Sequence, residues 1–140
     1  MNAIISTTER QQLPELLALY DSVGWSAYTV RPDALRRGVA GSLRVATARV
    51  DGFLVGLART VGDGATIVYL QDVLVHPAHR RVGIGRRLVE AALADAATVR
   101  QQVLITDDGP AQRAFYESLG FIEVRDLRPN QLRAFVRGKR

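Results

Sequence analysis

The sequence contains no cysteine, and its only histidines are His76 and His79. Without thiols the chain can have no disulfide bond, no catalytic cysteine and no zinc site built on thiolates. Two histidines leave few ligands for a histidine-based metal site. The sequence therefore predicts neither a resident metal ion nor a redox role.

Long apolar stretches are also lacking. Nowhere do about 18 apolar residues follow one another without charges, and no basic start precedes an apolar stretch of signal-peptide length. We therefore expect a soluble, cytoplasmic protein that does not bind membranes. Its 47% hydrophobic and 24% charged residues are typical of a globular chain. A length of 140 residues predicts a single domain spanning residues 1–140.

Positive charge is in excess, giving a formal net charge of +5. An anionic partner would explain it: a nucleic acid, a membrane surface or a phosphorylated cofactor. A general preference for arginine over lysine would produce the same balance. Two local clusters of basic residues stand out, Arg80, Arg81, Arg86 and Arg87 inside the chain and Arg133, Arg137, Lys139 and Arg140 at its end. Because no helix-turn-helix, zinc-finger or aromatic RNA-binding motif accompanies them, we expect no nucleic-acid partner and keep a nucleic-acid-binding module only as a less favoured alternative.

Hydrophobic periodicity predicts the element order β-α-α-β-β-β-α-β-α-β-β. The predicted elements are a strand at 3–6, a helix from Pro14, a loop at 21–32, a helix at 33–39, strands at 43–49, 53–61 and 66–75, a helix from about Gly83, a strand at 103–105, a helix from Pro110 to Gly120, and strands at 121–124 and 134–136. The sum is an α+β fold with α/β/α layers, in which a mixed, mostly antiparallel sheet of about seven strands is flanked by four helices.

A loop with two glycines connects the apolar strand Val73-Leu74-Val75 to a helix. The first N–H groups of a helix lack internal partners and carry partial positive charge, so such a loop can hold phosphate. Neither common nucleotide motif fits, because Leu88 stands where the dinucleotide fingerprint has its third glycine and no Gly-Lys-Ser/Thr is present. Taken alone, the loop also fits a tight turn with solvated arginines.

Two blocks of the sequence resemble the GNAT superfamily of acetyltransferases. The first is similar to its acetyl-CoA motif, Gln/Arg-x-x-Gly-x-Gly/Ala after a strand ending in Val-x-Pro; here it is Asp72-Val73-Leu74-Val75-His76-Pro77, then Arg80-x-x-Gly83-x-Gly85 and Leu88. The second resembles the later motif, in which a helix carries a tyrosine just before Gly-Phe: Ala114-Phe115-Tyr116-Glu117-Ser118-Leu119-Gly120-Phe121. Both blocks occur in the family's order, and the resemblance covers about Ser42 to Val124.

The resemblance implies an N-acetyltransferase that uses acetyl-CoA. It places the pantetheine arm of the cofactor on the backbone of β-strand residues and the pyrophosphate on loop amides, with the Arg80 side chain bracing the loop. The cofactor-binding residues that it implies are Val73, Leu74, Val75, Arg80, Arg81, Val82, Gly83, Ile84, Gly85 and Arg86. Tyr116 is expected near the sulfur as general acid. The implied acceptor is a primary amine of a small molecule or peptide, and the implied assembly is a homodimer.

One position departs from the family's pattern. Many members have an asparagine seven residues before the tyrosine that contacts the cofactor, and Gly109 stands there in this sequence. That contact is either missing or supplied by backbone. Asp108, beside Gly109, is a candidate substitute.

The expected reaction needs a proton acceptor, because an alkyl ammonium with a pKa near 10.4 is neutral in only about one part in a thousand at pH 7. Asp72 is the first candidate for this base, since it lies in the strand expected to bind the cofactor. Asp107 and Asp108 come second, and His76 is a further candidate. For each of them, a hydrogen bond within the fold is the alternative role.

Trp25 and Tyr28 lie in the segment where the family usually builds its acceptor wall, so we predict that they bind substrate. Asp21 and Asp33 are close in sequence and would suit a cationic amine. The alternative for Trp25 is a core anchor, and the alternative for Tyr116 is an ordinary helix tyrosine. A GNAT-like protein that binds acyl-CoA as a sensor, without turnover, is the alternative function.

Overall fold

The computed structural model describes residues 2–138. Met1, Lys139 and Arg140 lie outside the described residues, so half of the C-terminal basic cluster is not covered. The chain forms two compact units, the first ending at Ile105 and the second beginning at Thr106. The single domain expected from the chain length stays a prediction.

The first unit contains the sheet and four of the five α-helices found in residues 2–138. Its elements are β1 (Ile4–Ser6), α1 (Leu13–Ser22), α2 (Ser26–Thr29), α3 (Pro32–Ala40), β2 (Arg44–Val50), β3 (Phe53–Gly62), β4 (Ile67–Val75), α4 (Ile84–Ala92) and β5 (Gln101–Leu104). A 3₁₀ turn at Pro77–His79 follows β4. The short α2 lies within the segment predicted to be a loop, and its turn is closed by the Val30 N–H, which donates to the Ser26 carbonyl.

The strands form one sheet in the order β1-β2-β3-β4-β5. The first four are antiparallel neighbours and β5 runs parallel to β4, which confirms a mixed, mostly antiparallel sheet. Asp51 and Gly52 join β2 to β3 with φ angles of 51° and 83°. Two consecutive left-handed residues give the tight hairpin that an Asp-Gly pair predicts.

Helices cover both faces of the sheet, and two adjacent residues of β3 show how. Neighbouring side chains of a strand point to opposite faces. Leu57 packs into a buried cluster with α1 and α3, whose other members are Leu16, Leu19, Tyr20, Leu35, Val39, Leu54 and Leu74. Gly56 lies against α4 instead, because a Cβ built on it would come within 2.8 Å of Leu88 Cδ1. Glycine at this position lets α4 approach the sheet closely.

The α4 helix is amphipathic, as predicted. Its buried side chains are Ile84, Leu88, Val89 and Ala92. Burying a large aliphatic side chain contributes about 1.5–3 kcal/mol. This apolar stripe therefore fixes α4, together with the loop that precedes it, on the sheet.

The second unit contains α5 (Pro110–Ser118) and a 3₁₀ turn at Val124–Asp126. The helix from Pro110 is confirmed, and Gly120 follows it with a φ of 93°. The strands predicted at 121–124 and 134–136 are wrong. Over the described residues the sheet has five strands instead of about seven, and the α-helices number five instead of four.

Local bonds explain why the segment after Gly120 does not form a strand. The Phe121 N–H donates to the Tyr116 carbonyl and the Asp126 N–H to that of Glu123. The Arg113 side chain on α5 pairs with Glu123 and Asp126. The turns satisfy backbone groups that a sheet ladder would otherwise use, and the ion pairs hold the segment against α5.

Candidate active site

An irregularity in the pairing of β3 with β4 sets the direction of the polar side chains on β4. Arg59 pairs with Asp72, whereas the next residue, Thr60, pairs with Leu70. Gln71 is therefore an extra residue on β4 with no partner on β3, and it forms a β-bulge. An extra residue reverses the alternation of side chains along the strand.

The packing on either side of Gln71 confirms that reversal. Before the bulge, Val68 packs against Ala96 and Val99, which follow α4 in the chain. After the bulge, Leu74 lies in the cluster with α1 and α3. Asp72, two residues before Leu74, consequently faces α1 and α3, where an uninterrupted strand would have turned it toward α4.

Three side chains from other elements donate hydrogen bonds to the Asp72 carboxylate. The Tyr20 hydroxyl of α1 donates to Oδ2 at 2.9 Å, and the Tyr28 hydroxyl of α2 donates to Oδ1 at 2.6 Å. Nε of Arg59 donates to Oδ2 at 2.6 Å. Asp72 is 3% exposed and Arg59 is 6% exposed, so this is a buried ion pair. We call Asp72, Arg59, Tyr20, Tyr28 and Gln71 the Asp72 network.

The Asp72 network reaches solvent at the hydroxyl of Tyr28. Tyr20 is fully buried, whereas Tyr28 is half-buried, and the exposed Gln71 side chain donates from Nε2 to the Tyr28 oxygen at 3.1 Å. Burial, followed by the bond to Asp72, raises the pKa of Tyr28. Burial, with the nearby Asp72 charge, raises the pKa of Tyr20 well above its usual range. Both phenols therefore stay protonated as donors.

Trp25 belongs to the same aromatic group as the two tyrosines. Its ring centroid lies 5.9 Å from that of Tyr20 and 6.1 Å from that of Tyr28. Trp25 is half-buried and packs against the cluster formed with α1 and α3. Trp25 therefore makes the core contacts expected of a core anchor, the alternative to substrate binding. Because it is only half-buried, part of the residue is still accessible.

The edge of β4 that faces β5 is paired over only half of its length. β5 pairs with Ile67–Leu70, and no strand in the described chain continues that ladder along residues 71–75. The opposite edge is paired with β3 as far as Val75. The predicted pantetheine contacts Val73, Leu74 and Val75 therefore lie on a strand with one open edge.

The loop after β4 leads directly into the N-terminus of α4. Gly83 is the N-cap residue with a φ of 82°, and its carbonyl accepts the first helical bond, from the Arg87 N–H at 3.2 Å. No heavy atom lies within 4 Å of a Cβ built on Gly83. Arg81 also has a left-handed φ, of 68°. The first amides of a helix have no intrahelical partner, and the open space in front of Gly83 makes this helix start a candidate cradle for an anion.

Arg80 braces this loop against the strand. Its Nε donates to the Val75 carbonyl at 3.3 Å. Arg81 and Val82 are exposed, whereas Ile84 is buried and anchors α4. The loop is thus held at both ends, while its middle remains accessible.

Tyr116 lies in the second unit, at the end of α5. Its ring packs edge-on against Phe115 and Phe121, with centroids 5.0 and 6.0 Å away. Burial, with a smaller effect of Asp107, raises the pKa of Tyr116 to about 12. The phenol keeps its proton at neutral pH, as a general acid must. Its catalytic role stays a prediction.

The other base candidates make local bonds. Nδ1 of His76 accepts from the Ala78 N–H at 3.1 Å and caps the 3₁₀ turn. Asp107 accepts from the Gly109 N–H at 3.1 Å, just before α5. Asp108 is exposed. The assignment of the base among these residues and Asp72 stays a prediction.

Arg59, Tyr20 and Gln71 were not predicted from the sequence as residues of the site. Arg59 did carry a signal, since it is the one charged residue in the apolar stretch from Phe53 to Val61. A charge in a buried strand requires a partner. Gln71 gave no signal, because a bulge is not visible in the alternation of β4.

Two further findings concern residues 2–138 as a whole. They contain no group of three or more His, Asp or Glu side chains placed to hold a metal ion. No helix among them is both long and apolar enough to cross a membrane.

Comparisons with known proteins agree with the resemblance in sequence. Residues 41–123 match the acetyltransferase (GNAT) domain family. The structure of a GNAT-family acetyltransferase from Streptococcus pneumoniae TIGR4 is 30% identical, with a TM-score of 0.82 over 99% of this chain and 100% of that one. An aminoglycoside N-acetyltransferase, solved with a CoA-linked bisubstrate analogue, shares the fold at 19% identity and a TM-score of 0.73, over 100% of this chain and 99% of that one.

Among curated relatives, the mycothiol acetyltransferase of Corynebacterium efficiens is 41% identical over 81 residues. The match covers 58% of this chain and 23% of that protein, so the chain spans about a quarter of the length of that relative. The matched family domain, and a structural relative that the chain covers completely, both lead to the same assignment. The chain belongs to the GNAT acetyltransferase family.

Proposed function

We propose that this chain is an N-acetyltransferase that takes the acetyl group from acetyl-CoA and transfers it to a primary amine of a small molecule or peptide. One observation carries the proposal. The open edge of β4 leads, through one 3₁₀ turn and a short loop, into the left-handed Gly83 at the N-terminus of α4. A strand edge and an anion cradle in succession suit a ligand with a peptide-like arm and a phosphate end.

The residues present fit acetyl-CoA. Backbone groups of Val73, Leu74 and Val75 would hold the pantetheine arm, as a sheet edge holds an added strand. Amides of the loop from Arg81 to Arg86 would hold the pyrophosphate, and no atom fills the space in front of Gly83. The arginines of this loop would add positive charge. Bound there, the cofactor would supply an acetyl thioester, which is the activated acyl donor.

The amine must lose a proton to attack a thioester. Asp72 is the carboxylate closest along the chain to the proposed pantetheine strand, but its side chain is only 2% exposed and already accepts three hydrogen bonds. Accepting a proton directly from substrate would require Tyr28 to move. We therefore propose that the amine releases its proton to water. Asp72 would then act by holding the Tyr28 hydroxyl in position.

The acceptor would lie beside Trp25 and Tyr28. Half-buried aromatic rings offer apolar area and favourable electrostatics to a cationic amine. Relatives named mycothiol acetyltransferase, although matched over about a quarter of their length, support a small-molecule acceptor. Tyr116 is proposed to donate a proton or hydrogen bond to the departing thiolate. A homodimer stays a prediction.

A thiol-release assay tests this function. The protein and acetyl-CoA are mixed with glucosamine, spermidine, n-butylamine and glycinamide in turn, and free thiol and acetylated product are measured. We expect turnover with at least one amine. Acetyl-CoA binding without turnover of any amine would support the sensor alternative, and no binding would remove both.

A further inference from the structure

We propose that Arg59 is a positioning residue, which through Asp72 fixes the Tyr28 hydroxyl as a hydrogen-bond acceptor for the ammonium group of the acceptor substrate. The inference rests on the proposed acetyl transfer and assigns its acceptor-binding atom. It gives roles to Arg59, Tyr20 and Gln71 that the family motifs do not supply.

Arg59 and Tyr20 hold the Asp72 carboxylate in place. Arg59 also makes hydrogen bonds to groups other than Asp72. Its Nη1 donates to the Gly38 carbonyl at 3.1 Å and to the Ser42 hydroxyl at 3.2 Å. Three hydrogen bonds therefore hold the planar guanidinium, one from Nε to Asp72 of β4 and two from Nη1 to Gly38 of α3 and to Ser42 just after it. Asp72 then has a single orientation, with Oδ2 shared by Arg59 and Tyr20 and Oδ1 left for Tyr28.

The bond to Asp72 fixes the orientation of the Tyr28 hydroxyl. Its one proton is donated to Asp72 Oδ1 at 2.6 Å, so its oxygen presents only lone pairs elsewhere. Gln71 Nε2 occupies one of them at 3.1 Å. An oxygen in this state can accept from an N–H donor and has no proton to offer in return. It therefore favours an ammonium group over a carboxylate, which needs a donor, and over a hydroxyl, which has a single uncharged O–H to donate.

The charges of Asp72 and Arg59 cancel, so the Asp72 network carries no net charge. An unpaired carboxylate would bind the ammonium strongly and would stabilise the charged form that cannot attack. A neutral phenol oxygen beside aromatic rings binds the amine while leaving its deprotonation to water.

The test uses two variants of the whole chain. Tyr28→Phe removes the hydroxyl and keeps the ring. An apolar variant, Tyr20→Phe with Arg59→Met and Asp72→Leu, removes the buried polar groups and leaves Tyr28 intact but unheld. The probe is the amine with the highest kcat/KM in the panel above. Its Kd is measured without cofactor from the fluorescence of Trp25, the only tryptophan, and its KM and kcat are measured in the thiol assay.

We expect both variants to weaken amine binding about ten- to a hundredfold, the value of a hydrogen bond to a charged group. KM should rise by the same factor and kcat should change little. Adding Tyr28→Phe to the apolar variant should produce no further loss. Amine affinity that is unchanged in either variant, or losses that multiply, would overturn the proposal.

A milder variant covers the case in which the apolar variant does not fold. Arg59→Lys keeps the charge and loses the planar fork. Its loss of amine affinity should vanish in a Tyr28→Phe background, and a loss that persists there would count against the proposal. The matched control is Arg49→Met, which breaks a partly buried ion pair with Glu9 and Glu15 in the same unit and should leave amine affinity unchanged.

Failure of this inference can be told apart from failure of the proposed function. Acetyl-CoA binding by the unmodified protein is measured first, and its absence removes the proposed function. Normal acetyl-CoA binding and turnover, with amine affinity insensitive to the network, removes the inference alone.

Discussion

The two faces of the sheet are held by different forces. On one face, α4 packs through aliphatic side chains against Gly56, with Leu88 at the closest point. On the other face, α1 and α3 contact the same sheet through aliphatic side chains, and α1 and α2 also contact it through the buried polar Asp72 network. Apolar packing, with a few peripheral hydrogen bonds such as that from Arg44 Nη1 to the Ala91 carbonyl at 3.0 Å, fixes the proposed phosphate cradle, whereas a buried network of hydrogen bonds fixes the proposed acceptor wall.

The two faces have different proposed roles, and each role requires a different kind of contact. A cradle made of backbone amides needs only that α4 stay in place, and apolar packing achieves that. An acceptor site must orient one oxygen among several, and nondirectional packing cannot specify such a direction. Buried polar networks specify geometry at the expense of stability.

The largest effect expected on stability comes from breaking the polar face. Arg59→Met leaves the Asp72 carboxylate buried without its cation, and removing one partner of a buried pair costs about 3–5 kcal/mol. Chemical denaturation should show that loss in the free energy of unfolding. The apolar variant described above should recover most of it, because no buried charge remains. An Arg59→Met protein as stable as the unmodified protein would contradict the description of Arg59 and Asp72 as a buried ion pair.

A smaller effect is expected on the apolar face. Gly56→Val places side-chain atoms where Leu88 Cδ1 lies 2.8 Å from a built Cβ, and overpacking of this kind costs about 1–3 kcal/mol. Because α4 carries the cradle, acetyl-CoA affinity should fall while amine affinity should not. Thermal unfolding and calorimetric titration measure the two quantities. An amine defect in Gly56→Val, or none in cofactor binding, would contradict the separation of the two faces.

The smallest effect is a pH dependence. All four tyrosines, Tyr20, Tyr28, Tyr69 and Tyr116, have raised pKa values, in each case chiefly through burial. An unfolded chain loses these protons near pH 10, while the folded chain keeps them. The stabilisation is therefore fully present below pH 10 and is lost as the pH rises above it, through about 12 for Tyr116.

Absorbance at the phenolate band measures this ionisation directly. At pH 10 each of the four tyrosines should be about half ionised in denatured protein, and native protein should show less phenolate than that. In the apolar variant, the pKa of Tyr28 should fall toward its ordinary value, since the contribution of Asp72 is gone. A phenolate signal at pH 10 that is as large in native as in denatured protein would contradict the burial described for these rings.

Sequence patterns predicted the parts of the fold that depend on local periodicity. The β2–β3 hairpin, the amphipathic α4 and the start of α5 at Pro110 follow from spacing and turn residues, and all are confirmed. The strands predicted after Gly120 are wrong, because alternation alone cannot show whether a partner edge exists. In that segment, local turns satisfy backbone groups and Arg113 forms ion pairs with Glu123 and Asp126.

The candidate site divides in the same way. The loop from Arg80 to Arg86 could be predicted, since its chemistry lies in contiguous residues and backbone amides. The partners of Asp72 could not, because Tyr20 and Arg59 are brought to it by tertiary contacts and by a bulge at Gln71. The sequence placed Asp72 in the correct strand, while its surroundings suggest a role other than direct proton acceptor.

Calorimetric titration of acetyl-CoA into the unmodified protein and into Gly83→Glu tests the central claim most directly. The control is Gly52→Glu, because Gly52 has a φ of 83° and equally open space but lies in the β2–β3 turn. We predict micromolar binding by the unmodified protein and by the control, and none by Gly83→Glu, whose side chain and negative charge would occupy the phosphate position. No heat with the unmodified protein at millimolar acetyl-CoA, or normal binding by a folded Gly83→Glu protein, would contradict the account.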